Sequence, residues 1–216
     1  MNCLYLDASR DRMSVALESG GSWFARESID GRHDQVLLET MQSICDEAGI
    51  AIRQVSHAVI VNGPGSFTGL RIAVSFVHAL DLVQPLRVLT IDQLSLLGYM
   101  AKSSEGAIVD ARMNEVYVGT KKHSDGTYQS LGLLPLTELN SDQTWVCHAD
   151  EAHRFDAKLI LVRPTLESLR DLASQIDTSK WTEGNRLTPL YLRKTVSWKP
   201  LAEQLFRQWF PRYRFP

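Results

Sequence analysis

The residues best placed to do chemistry begin with Gly63-Pro64-Gly65-Ser66-Phe67-Thr68-Gly69-Leu70-Arg71, which follows the apolar run Ala58-Val59-Ile60-Val61. A strand that feeds a helix through a glycine loop aims unpaired N–H groups and the positive helix end at one point, where anions bind. Gly65 and Thr68 would be the contacts. The glycines run G-x-G-x-x-x-G, however, which matches neither the dinucleotide fingerprint nor a P-loop, and a purely structural turn is the preferred reading. A second candidate is Asp7 with Ser9, in a turn between two strands, where an acid can contact phosphate or Mg²⁺. No glycine there lets backbone N–H groups approach a phosphate closely, so a plain hairpin turn is again preferred.

Other chemistries find less support. Ser66 lies outside a G-x-S-x-G elbow and nothing in the chain names its base. His33, His57, His78 and His123 are isolated, and His148 and His153 are five apart, about half a turn off a shared helical face. A metal centre is not expected. Cys3, Cys45 and Cys147 are odd in number and widely spaced, so no disulfide framework is implied and a reducing compartment is the simpler expectation. Asp110, Arg112 and Glu115 form a charged cluster suited to an ion-pair network or a partner surface. Arg71 falls on the first turn of the central helix, where an acid is usual, so it either pairs with a carboxylate, Asp110 or Glu115 being candidates, or reaches an anion.

These groups need a scaffold, and the pattern supplies one. Asn2–Leu6, Met13–Glu18 and Ser22–Ile29 read as three strands, the last two joined by Gly20-Gly21. His33–Ala48 is an amphipathic helix with Val36, Leu37, Met41, Ile44, Cys45 and Ala48 near one side, ended by Gly49. The strand at Ala58 then leads through the glycine loop to a helix apolar on most faces, as a buried helix is. Arg87–Ile91 is a strand and Gln93–Lys102 a helix. Lys102-Ser103-Ser104-Glu105-Gly106 is the best boundary. Beyond it, Ala107–Asp110, Val116–Lys121, Tyr128–Leu134, Trp145–His148 and Leu159–Val162 read as strands and Thr165–Ile176 as a helix. The result is two α/β halves, the second a loose echo of the first.

The chain has 216 residues, 44% hydrophobic and 22% charged, with a net charge of −2, so bulk charge gives no reason to expect nucleic-acid binding. The start, Met1 to Asp7, lacks a signal-peptide pattern and no run reaches membrane-span length, so a soluble, cytoplasmic protein is expected. The end differs: Arg193, Lys194, Lys199, Arg207, Arg212 and Arg214 face one acid, Glu203, and interleave with Trp198, Trp209, Phe210, Tyr213 and Phe215. Such residues suit stacking on bases. A terminal helix from Pro200, packed through Leu201, Leu205, Phe206 and Trp209, is preferred.

Several ordered motifs are more specific than any one loop. GPGSFTGLRIA, Asp110 to Tyr117, Leu6-Asp7-Ala8-Ser9 with Ser14-Val15-Ala16-Leu17, His33 with Leu37-Leu38, and Pro189-Leu190-Tyr191-Leu192-Arg193 together resemble the TsaB family, also called YeaZ. Ala73 and Asn114 stand where that family commonly has glycine. The resemblance implies a two-lobed actin-like ATPase (ASKHA) fold with mixed sheets and a reduced second lobe. The lobes would be 1–103 and 104–216; the tail after Trp198 does not map onto the family, and packing of the terminal helix back on the first lobe is this sequence's own expectation. The resemblance also implies a non-catalytic accessory subunit for threonylcarbamoyladenosine modification of tRNA, which binds and activates TsaD. TsaE would join them, tRNA would be met through the complex, and a homodimer is the other assembly. No cofactor of its own is implied; ATP and metal are expected on the partner subunits. His33, Leu37, Leu38, Met41, Arg71 and Arg112 are the expected partner-binding residues. The competing reading is an enzyme of the same fold, an ATPase or a glycoprotease-like peptidase.

Overall fold

The computed structural model describes residues 1–101, 106–121 and 128–190. The basic, aromatic tail after Leu190 and the turn expected at Ser124-Asp125-Gly126 lie outside them.

The chain opens with β1 (Asn2–Asp7), β2 (Met13–Ser19) and β3 (Ser22–Ile29), an antiparallel meander in which Leu4 pairs with Leu17. Gly20 and Gly21 both adopt positive φ, the twist that a two-residue hairpin needs and that glycine supplies without strain. Next come α1 (His33–Glu47), β4 (His57–Val61), α2 (Phe67–Val83), β5 (Arg87–Ile91) and α3 (Gln93–Ala101). β4 lies parallel to both β1 and β5, so the first sheet is mixed, as expected.

The second sheet is built from β6 (Gly106–Arg112), β7 (Glu115–Lys121), β8 (Tyr128–Pro135), β9 (Thr144–His148) and β10 (Lys158–Val162), in the order β10-β9-β6-β7-β8. The chain then forms α4 (Leu166–Gln175) and a two-residue strand, β11 (Thr182–Glu183). β11 has no pattern in the sequence because two residues are too few to show a period. It extends the first sheet beside β5, giving the order β11-β5-β4-β1-β2-β3.

Strand periodicity of two sorts the first core into two layers. Leu4, Leu6, Ala58 and Ile60 face α1 and α2, while Cys3, Tyr5, Val59 and Val61 face the other way. That second face is covered by α4, whose Leu166, Leu169, Leu172 and Ala173 are buried as its amphipathic pattern requires. Burying one such leucine stabilises the fold by about 2 kcal/mol. α4 comes from the latter half of the chain yet packs on the first sheet, whereas Leu94 and Leu97 of α3 pack against Ala107, Val109 and Val146 of the second. Each sheet is therefore covered by a helix that the other half of the chain contributes or shares.

Candidate functional site

The turn after β1 is closed by its own side chains. Ser9 donates its backbone N–H (2.9 Å) and its hydroxyl (2.6 Å) to Asp7 Oδ1. Burial pushes the Asp7 carboxyl above the usual carboxylate range, and these two donors oppose that shift only in part. Gln93 Oε1 lies 3.2 Å from the Ser9 hydroxyl. The glycine loop is laid directly on this turn. Ser66 N–H donates to the Ser9 carbonyl at 2.6 Å, and a side chain at Gly65 would collide with that carbonyl, one at Gly69 with the Ala8 carbonyl. Asp7, Ser9 and Gly65, the weaker candidates for phosphate contact, are thus brought together, with the loop backbone against the turn. Thr68 is turned elsewhere, onto the exposed flank of α2.

Ser66 caps α2, accepting the Gly69 N–H at 3.2 Å, so the helix starts at Phe67, three residues before the apolar run that marks it in the sequence. This early start lifts Phe67 and Arg71 onto the same flank as Thr68. The Arg71 guanidinium stacks over the Phe67 ring at 3.9 Å. Facing them across a groove of about 490 Å³ is α1, with Leu37 in the floor and Leu38 and Asp34 on the wall; Ile72, Ser75 and Phe76 complete the α2 side. Leu38 is 61% exposed and Phe67 49%, an unusual cost for two large apolar side chains on one groove.

The expected partner residues divide. Leu38 and Arg71 line the groove at its surface, and Leu37 is its buried base. Met41 is wholly buried in the first core beneath, and His33 is buried with its Nε2 3.2 Å from the Asp11 carbonyl. Arg112 is not part of this groove. It sits on the β6–β7 turn, where Arg112, Met113 and Asn114 all adopt positive φ, and reaches Asp11 (3.6 Å) and Asp110 (3.9 Å). Phe67 and Phe76 were not expected in the site, although an aromatic just inside a helix start was the available signal.

Asp110 does not pair with Arg71. Among the described residues its ion-pair partners are Arg154, at 3.2 Å, and Arg112, because the bulged end of β6 turns the carboxylate toward the 149–154 segment and away from α2. In that segment Glu151 accepts from Arg10 at 2.7 Å and from the Asp110 N–H at 3.0 Å. His148 beside it is held down to about 4 by burial and by the Arg10 guanidinium, with Asp150 pulling weakly the other way. No three His, Cys, Asp or Glu side chains among the described residues form a metal-holding group.

Comparison with known proteins accords with this architecture. A family model described as "TsaD: tRNA N6-adenosine threonylcarbamoyltransferase" matches residues 27–132. The chain is 27% identical to the tRNA threonylcarbamoyladenosine biosynthesis protein TsaB of Escherichia coli K12, over 93% of this chain and 98% of that protein. The Haemophilus influenzae protein of the same name is 26% identical over 93% of this chain and 97% of its own length. Among solved structures, YeaZ from Pseudomonas aeruginosa superposes with a TM-score of 0.70 at 29% identity, covering 88% of this chain and 99% of that one. A second Pseudomonas aeruginosa structure, titled as an uncharacterized protein with similarity to peptidase YeaZ, gives 0.70 at 30% identity, covering 89% and 99%. Two mixed sheets with shared helices, alike in fold to these YeaZ structures, fit an actin-like fold, and the chain belongs to the TsaB/YeaZ family.

Proposed function

We propose that this protein is a non-catalytic accessory subunit in threonylcarbamoyladenosine modification of tRNA, and that it binds and activates TsaD through the α1–α2 groove. The observation that carries the reading is the pairing of exposed Leu38 with exposed Phe67 across that groove. Removing one such side chain from water contributes about 1.5–3 kcal/mol, so two at the centre of an interface supply much of a micromolar affinity. Arg71, stacked on Phe67, adds a charge that fixes orientation at the rim.

The enzymatic alternative is disfavoured by the turn after β1. The buried carboxylate at its start, Asp7, is engaged by Ser9, and the glycine loop lies against the carbonyls of Ala8 and Ser9 where a phosphate would need to approach. ATP and metal then belong on the partner subunits, TsaE joins the assembly, tRNA is met through the complex, and a second copy of this chain can use the same groove in the partner's absence. The protein would act in the cytoplasm; no described helix is long and apolar enough to cross a membrane.

The test mixes the purified chain with TsaD from the same source, follows the complex by size exclusion with light scattering, and assays tRNA modification with and without the chain. A complex, with modification dependent on it, supports the reading. Absence of a complex together with ATP or peptide turnover by the chain alone overturns it.

A further inference from the structure

The described chain ends near the N-terminal end of α2. Residues 184–187 run along α2 from its C-terminal end, with Gly184 against Asp81 and the Leu187 carbonyl 2.9 Å from His78 Nε2. The chain then reaches Asn62, whose side-chain amide donates to the Thr188 carbonyl (2.9 Å) and accepts from the Leu190 N–H (3.2 Å). The Leu190 carbonyl lies against Gly63, which holds positive φ and is packed tightly beside Leu70. Everything beyond Leu190 therefore departs from the corner at which α2 begins, within a few residues of Phe67.

We propose that the C-terminal segment Lys199–Pro216 of this same chain folds back into the α1–α2 groove and competes there with the partner subunit. Reach is sufficient. The connection Tyr191–Trp198 spans up to about 28 Å when extended. The groove follows α2 from Phe67 to Phe76, about 14 Å, and a helix over Pro200–Phe210 is about 16 Å long. The chemistry is complementary too. Leu201, Leu205, Phe206 and Trp209 recur at helical spacing and match a groove walled by Leu38, Phe67 and Phe76. Asp34 of α1 and Arg71 of α2 put one charge of each sign at the groove, and the segment brings four basic residues, Lys199, Arg207, Arg212 and Arg214, and the single acid Glu203. An occupant tethered near the start of α2 has a high effective concentration, so a weak intrinsic contact is enough to compete.

Docking of the tail is independent of the accessory reading; competition rests on it. Hydrogen–deuterium exchange on the full-length chain decides the first. Amides in 34–38 and 67–76 are expected to exchange about tenfold slower in the unmodified chain than in Leu205→Glu. Leu38→Glu, a change at an exposed position, should speed exchange in 199–210 while leaving β1 and β4 unchanged. Tail amides exchanging at unstructured rates in the unmodified chain would overturn docking, as would groove amides indifferent to Leu205→Glu. Protection that disappears on dilution together with a dimeric mass makes a second copy the occupant and also overturns it. Competition is then read from TsaD affinity: Leu205→Glu should bind about tenfold tighter than the unmodified chain, and equal affinity overturns competition. If neither chain binds TsaD, the accessory reading fails with competition, and the exchange result still decides docking.

Discussion

The guanidinium of Arg10, on the turn after β1, meets the carboxylate of Glu151 at 2.7 Å, and only about a fifth of either side chain is exposed (20% and 19%). Residues far apart in the chain are thereby fastened across the gap between the two sheets. Glu151 is held in place by the Asp110 N–H, so the pair is part of a network. Arg10→Ala and Glu151→Ala are expected to destabilise non-additively, the double variant losing about 1–2 kcal/mol less than the sum. Urea unfolding of the four proteins measures this, and additive losses would show that the contact contributes nothing.

Gly65 and Gly69 are expected to resist the smallest enlargement. A methyl group at either position meets a carbonyl oxygen of the Ala8–Ser9 turn, backbone that can move only by displacing β1. Gly65→Ala and Gly69→Ala should each cost about 3 kcal/mol or more. Gly20→Asn is the control, since Gly20 has positive φ but open space around it, and should stay within about 1 kcal/mol. Thermal melts separate the two classes.

Neighbouring leucines on α1 should separate stability from binding. Leu37 and Met41 are in the core, and truncation to Ala is expected to cost about 2–4 kcal/mol. Leu38→Glu and Phe67→Ala should leave the melting temperature nearly unchanged while weakening TsaD binding by about tenfold or more, read by titration calorimetry. Unchanged affinity in both would place the interface elsewhere.

His148 should make the fold acid-sensitive. Its Nδ1 accepts the Asp150 N–H at 3.1 Å, and burial together with Arg10 lowers its pKa from 6.5 to about 4. The unfolded chain therefore takes up a proton before the folded one does. The stability that His148 contributes is full above pH 6.5 and is lost as pH falls toward 4, on the order of 2 kcal/mol. Asp7 works with the opposite sign: its raised pKa makes the charged carboxyl a cost that acid relieves. Unfolding titrations from pH 7 to 4 should show a shallower decline for His148→Gln and a steeper one for Asp7→Asn.

Asn114 holds φ +60 in the β6–β7 turn, a conformation that asparagine tolerates and a β-branched residue does not. Asn114→Gly is expected to be neutral within about 0.5 kcal/mol and Asn114→Val to cost about 1–2 kcal/mol, again by urea unfolding.

The elements were legible wherever their cause is local. The alternation of Leu4 and Leu6 with Cys3 and Tyr5, the Gly20-Gly21 turn, the amphipathic stripes of α1 and α4 and the glycine loop before α2 each depend on residues within a turn or two, so the chain itself determines them. The family motifs are legible for the same reason. What Gly65 and Gly69 are for was not, because the carbonyls they admit belong to Ala8 and Ser9 and arrive only when β1 and β4 pair. Glu151 carries no mark that Arg10 is its partner, and Leu37 and Leu38 are the same residue type until α2 buries one and leaves the other at the groove. Contacts between distant segments are chosen by packing and desolvation of the whole molecule, terms that no stretch of sequence contains by itself.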